Sequence, residues 1–68
     1  MKNELPEAIR IAAALIDARA QLQEDFAAAE TRYADALRAI GRTAEADEIA
    51  QRAKSHADRA ARIRSGYA

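Results

Sequence analysis

The chain has 68 residues, near the lower size limit for a domain that folds alone, and its eleven basic and eleven acidic residues leave no net charge. Balanced charge excludes long-range attraction of the whole molecule to nucleic acid or to a membrane surface, and no stretch of ~18 apolar residues could span a bilayer. Half of the residues are hydrophobic, but 20 of them are alanine and none is cysteine, so neither a disulfide nor a Cys/His metal cluster can stabilise so small a core.

The first predicted element is a helix from about residue 5 to residue 40. Pro6 is accepted in the first turn of a helix, and no further glycine or proline occurs before Gly41. Strong helix formers fill the stretch between them. Small and apolar residues recur at helical spacing and predict the packing face of this helix: Ala8, Ile11, Leu15, Ala18, Leu22, Phe26, Ala29, Tyr33, Ala36 and Ile40.

A short turn and a second helix follow. Gly41 suits the left-handed position that closes a helix, and Thr43 is a residue type that caps the next one. We therefore expect a turn at 41–43 and a second helix from about 44 to 65, running back antiparallel to the first. An unbroken heptad pattern predicts the packing face of the second helix: Ala46, Ile49, Ala53, His56, Ala60, Ile63 and Tyr67. The fold class is all-α, with one helical-hairpin domain over residues 1–68.

The first helix is too long for its partner to cover. Folding about Gly41 sets residue 66 beside about residue 17, so the residues before Asp17 extend past the end of the second helix. Because oligomerisation is the remaining way to stabilise so small a chain, we expect the hairpin to pair into a homodimeric four-helix bundle. The predicted dimer or partner interface is Ile9, Ile11, Ala12, Leu15, Ile16, Leu22 and Tyr67. The predicted hairpin core is Phe26, Tyr33, Leu37, Ile40, Ile49, Ala53 and Ile63.

The charge is uneven along the chain. Residues 1–51 contain six basic and ten acidic residues, whereas residues 52–68 contain five basic and one acidic. Antiparallel packing explains this pattern, because it sets the basic end of the second helix beside acidic residues of the first. Within the second helix, Glu48–Arg52 and Asp58–Arg62 have the i,i+4 spacing of ion pairs. The alternative is phosphate binding to nucleic acid through Arg52, Arg59, Arg62 and Arg64.

The residues around the turn resemble a tetratricopeptide-type helix pair. The stretch "GRTAEADEIAQRA" places Gly41 at the turn, Glu45–Ala46 at the start of the second helix and Ala53 seven residues later. The resemblance covers about residues 33–53 and implies close packing of small residues. A single unit lacks the stacked repeats that form a peptide-binding groove, so it does not imply peptide binding.

No pattern of catalytic residues accompanies these elements. The only histidine, His56, lies on the predicted packing face and lacks the neighbours that a metal or a nucleophile would require; we expect a structural or pH-sensitive interface role. Glu4, Glu7 and Arg10 are atypical of a signal peptide, which favours the cytoplasm. The sequence therefore predicts a non-enzymatic protein-interaction module, without cofactor, metal, small-molecule substrate or membrane, that binds itself and modulates a larger protein. Nucleic-acid binding and a purely structural oligomerisation role are the alternatives.

Overall fold

The computed structural model describes the backbone of residues 4–66 and the side chains of residues 6–66. It contains two helices, α1 (Glu4–Ala39) and α2 (Thr43–Arg64), which pack against each other along the length of α2. The predicted all-α hairpin is thus confirmed, and the helix bounds lie within one residue of the predicted ones.

Gly41 closes α1 and reverses the chain. Its φ of +81° lies in the left-handed region, which glycine adopts at no steric cost. The Arg42 N–H donates to the Leu37 carbonyl at 2.8 Å and the Gly41 N–H donates to the Arg38 carbonyl at 3.0 Å, which is the Schellman pattern. The predicted cap at Thr43 is wrong. Thr43 is the first residue of α2, and the residue before it, Arg42, makes no side-chain capping bond.

The packing face of α2 is the predicted heptad face. Ala46, Ala53, Ala60 and Ile63 are buried, and Ile49 and His56 are half-buried. The last predicted member, Tyr67, lies outside the described residues.

The inner face of α1, which packs against α2, differs from the predicted one. Its residues follow a 3,4 spacing, and all of them are buried or half-buried: Ala20, Gln23, Ala27, Glu30, Ala34 and Leu37. Three residues predicted for the core, Phe26, Tyr33 and Ile40, are exposed instead, at 48%, 53% and 68%. The physical reason is close helix approach, because the buried positions of both helices are mostly alanine and short side chains admit no bulky residue between them.

Two clusters fix the register of the hairpin. Ala20 packs with Ala60 and Ile63 near the C-terminal end of α2, and Ala34 and Leu37 pack with Ala46 near the turn. Arg64 reaches Asp17 at 2.7 Å. The end of α2 is therefore level with residue 17, and residues 4–16 of α1 form an N-terminal overhang that α2 does not cover.

Candidate protein-docking surfaces

An apolar stripe runs along the outside of α1. At about 100° per residue its members fall within about 60° of one another, and each is between 48% and 68% exposed: Ile11, Leu15, Leu22, Phe26, Tyr33 and Ile40. The stripe lies about 100° around α1 from the inner face. Since large apolar side chains that form one contiguous strip are typical of interaction surfaces, the stripe is the first candidate site.

The N-terminal overhang presents apolar residues in two directions. Every described side chain from Pro6 to Arg19 is exposed. Ile9 and Ile16 lie seven residues apart in line with the inner face, and are 59% and 39% exposed because α2 ends before it reaches them. Ile11 and Leu15 belong to the apolar stripe. Exposed Ala12 lies between the two sets, so the residues predicted for the interface continue both the inner face and the stripe.

A cluster of three side chains joins the stripe to α2. The Phe26 ring stacks on His56 with centroids 5.3 Å apart, and His56 Nδ1 lies 2.6 Å from Glu30 Oε1. Both members of the latter pair are about three-quarters buried. The two contacts hold His56 at one edge of the α2 packing face. Arg52, four residues before His56, and Arg59, three residues after it, lie beside this edge. The flank of α2 that bears these arginines therefore lies on the same broad face as the stripe, the front face of the hairpin.

Ion pairs occupy the opposite, back face. Arg64 contacts Glu24 through two nitrogens at 2.9 Å, in addition to Asp17, and Arg38 contacts Asp47 at 3.2 Å. The hydrogen bond from Arg64 lowers the pKa of Glu24 below its ordinary value. A shallow groove of about 300 Å³ also lies on this face, lined by Ala27, Thr31, Ala34, Asp35, Arg38, Ala50, Ala53, Lys54 and Ala57. Five of its nine lining residues are alanine.

The predicted basic residues do not form one patch. Arg64 is held by acidic residues of α1 on the back face, as the antiparallel explanation of the charge requires. Among the described residues, no ion pair within 4.0 Å involves Arg52, Arg59 or Arg62, so the predicted i,i+4 pairs within α2 are not formed. At about 100° per residue, Arg52 and Arg59 lie on the front flank of α2, whereas Arg62 lies on the side of α2 away from α1.

Within residues 6–66, no group of three or more His, Asp or Glu side chains is arranged to hold a metal ion. No helix in the described part of the chain is long and apolar enough to cross a membrane. One polar atom on the inner face, Oε1 of Gln23, is buried without a hydrogen-bond partner among the described residues. Such an atom costs about 1–3 kcal/mol, which weakens an interface already made largely of alanine.

The inward-facing Glu30 was missed by sequence reasoning, which did not place it on the packing face of α1. Glu30 lies 26 residues before His56, and the midpoint between them falls at the turn. In an antiparallel hairpin this spacing places the two side chains level with each other, and it is the signal that could have found the pair.

Comparison with known proteins identifies no family model, no curated protein and no solved structure that matches this chain.

Proposed function

We propose that this protein is a small, cytoplasmic, non-enzymatic interaction module, a homodimeric helical hairpin that docks on a larger protein and modulates its activity. One observation carries the proposal: the helices pack against each other mainly through alanine, whereas most of the large apolar side chains point outward. Among residues 6–66, eight large apolar residues are at least 39% exposed, whereas only Leu37 and Ile63 of the large ones are buried.

The energetics favour a second chain. Complete burial of a Leu, Ile or Phe side chain gains roughly 1.5–3 kcal/mol, and each stripe residue realises about half of that gain in the isolated hairpin. A domain of this size supplies about 3–5 kcal/mol from its own core, and here that core consists mainly of methyl groups. Covering the stripe would therefore contribute as much free energy as the interior of the hairpin.

The division between stripe and overhang supports two binding events. The stripe runs beside α2 for most of its length, as a dimer interface within a four-helix bundle would. The N-terminal overhang projects beyond the hairpin and offers Ile9, Ala12 and Ile16 to a different surface. We assign self-association to the stripe and docking on the larger protein to the overhang.

Light-scattering mass on a size-exclusion column tests the first part, using native protein, Leu15→Glu and a matched control, Ala28→Glu. Position 28 is exposed on the side of α1 away from the stripe. The expected result is a mass of twice 7.4 kDa for native protein and for the control, with Leu15→Glu reduced to monomer or unfolded. A folded native monomer would refute the homodimer.

The second part is tested by pull-down from a lysate with native protein and with Ile9→Glu, which changes the overhang outside the stripe. A partner retained by native protein and lost from the dimeric variant is the expected outcome. A dimer that retains no protein in either form is a structural oligomerisation unit and contradicts the modulator role.

Nucleic-acid binding is the competing proposal, and the observation in its favour is that three exposed arginines of α2, Arg52, Arg59 and Arg62, make no ion pair within the described part of the chain. It requires an affinity for RNA or DNA that falls steeply with salt and falls further in the Arg59→Ala, Arg62→Ala double variant. Partner binding that survives this double variant would favour the protein-interaction module.

A further inference from the structure

We infer that the occupant of the apolar stripe is the stripe of a second copy, with the two α1 helices antiparallel and the twofold axis passing between residues 27 and 28. This inference rests on the proposed homodimer and specifies its geometry. It distinguishes a dimer centred on the middle of α1 from one centred on the N-terminal overhang and from one with parallel α1 helices.

The spacing of the stripe is self-complementary about this axis. In an antiparallel pair of α1 helices centred between residues 27 and 28, two residues of different copies lie at the same level when their residue numbers add up to 55. The positions then in register are Leu15 with Ile40, Leu22 with Tyr33 and Phe26 with Ala29. Large residues meet large ones toward both ends, and the Phe26 ring meets a methyl group near the axis, where two facing rings would crowd.

The front flank of α2 carries a matching charge pattern. Glu48 lies in its N-terminal half, whereas Arg59 lies in its C-terminal half. The packing of Ala20 with Ala60 and Ile63, and of Ala34 and Leu37 with Ala46, sets about residue 54 of α2 level with residues 27–28 of α1, so the same twofold axis crosses both helices. About that axis Glu48 is level with Arg59 of the second copy. The arrangement supplies an acidic partner for Arg59, which makes no ion pair within the described part of the chain.

Placing α1 over the second copy's α2 would instead lay the apolar stripe on the arginines, and would desolvate their charges against apolar side chains. Antiparallel α1 helices separate the interface into an apolar strip along α1 and a charged border along α2, which is the usual distribution of apolar centre and polar rim.

The elongated hairpin exposes more surface than a compact monomer of its mass. The chain exposes 5352 Å², whereas a compact monomer of this mass exposes about 4,200 Å². The excess of roughly 1,100 Å² exceeds the ~800 Å² that each partner buries in a standard stable interface.

Distances between spin labels on the two copies test the geometry. The chain has no cysteine, so labels can be placed singly at Ala14→Cys, Ala28→Cys and Ala39→Cys, three exposed alanines on the back of α1. At 1.5 Å per residue, the axial separation between equivalent labels is about 1.5 Å at position 28, about 40 Å at position 14 and about 35 Å at position 39. The position-28 pair should therefore be the closest, by about 15–20 Å once the lateral separation of the helices is included.

Other label results would overturn this inference while leaving the homodimer intact. The shortest distance at position 14 indicates a dimer centred on the overhang, and three equal distances indicate parallel helices. A monomeric mass for the labelled variants overturns the homodimer itself, so the two failures are distinguishable.

Charge exchange across the axis provides an independent test. Glu48→Arg and Arg59→Glu should each weaken dimerisation roughly five- to tenfold, because each replaces two symmetry-related exposed ion pairs with like charges. The double variant restores both pairs with their signs reversed and should recover native affinity. Additive weakening in the double variant would contradict the contact between these two positions.

Discussion

Two leucine-to-alanine substitutions on α1 can distinguish whether the apolar stripe is covered by a second chain or exposed to solvent. Leu37 is 3% exposed and packs in the cluster beside the turn, whereas Leu22 is 55% exposed in the hairpin and belongs to the stripe. Both lie within α1, so the change in helix propensity is the same and cancels in the comparison.

The magnitudes follow from burial. Leu37→Ala removes a buried side chain and should cost 2–5 kcal/mol, as is usual for such sites. In an isolated hairpin, Leu22→Ala would remove a side chain that is already half hydrated, at a cost of about 1 kcal/mol or less. If a second copy covers the stripe, Leu22→Ala should instead fall in the same 2–5 kcal/mol range as Leu37→Ala.

Urea unfolding followed by far-ultraviolet circular dichroism measures both variants, at several protein concentrations. A dimer becomes more stable as concentration rises, by mass action, so the midpoint of the native protein should increase with concentration and the Leu22→Ala curve should show the full cost. A midpoint independent of concentration, together with a cost of about 1 kcal/mol or less for Leu22→Ala, would refute the argument that the stripe is covered.

Three further predictions concern the hairpin itself. Since Arg64 lowers the pKa of Glu24, this ion pair should stabilise the fold at pH values above the ordinary pKa of Glu24, and that stabilisation should be lost as the pH falls through the lowered pKa. In Arg64→Ala, NMR titration should find the pKa of Glu24 returned toward 4.5. An unchanged pKa would show that Arg64 does not contact Glu24 in solution. Gly41→Ala should destabilise the hairpin by about 1–2 kcal/mol because alanine is strained at a positive φ, as thermal unfolding would measure; equal stability would show that the turn relaxes. Glu30→Ala and His56→Ala should be non-additive by about 0.5–3 kcal/mol in a double-mutant cycle, and additivity would show that the half-buried pair is not formed.

The second helix and the turn were predictable from the residues because a single physical signal determines each. The positive φ at Gly41 is a backbone requirement that the residue type reveals. The heptad spacing of α2 left only one apolar face, so Ala46, Ala53 and Ile63 had no alternative side to occupy.

The inner face of α1 was not predictable in this way, because α1 has two faces that can pack. One carries large residues such as Leu22 and Tyr33, and the other carries Ala20, Ala27 and Ala34 at intervals of seven residues. The sequence-based prediction chose the face with the larger apolar side chains. The small side chains of α2 instead favour the alanine face, where the two backbones approach closely. Size complementarity between helices, rather than hydrophobicity along one helix, decides which face α2 takes.

The separation of small and large residues on α1 lets the fold and its binding preference diverge independently. Enlarging Ala20 or Ala34 would force the helices apart, so those positions should tolerate few substitutions in a library selected for a folded hairpin. Leu22 and Tyr33 lie outside that constraint, and exchanging them for other apolar residues would alter which chain binds while the hairpin keeps its shape. Mutational tolerance should therefore alternate around the same helix, low toward α2 and high outward, and new partners become accessible by substitutions that leave the two-helix scaffold unchanged.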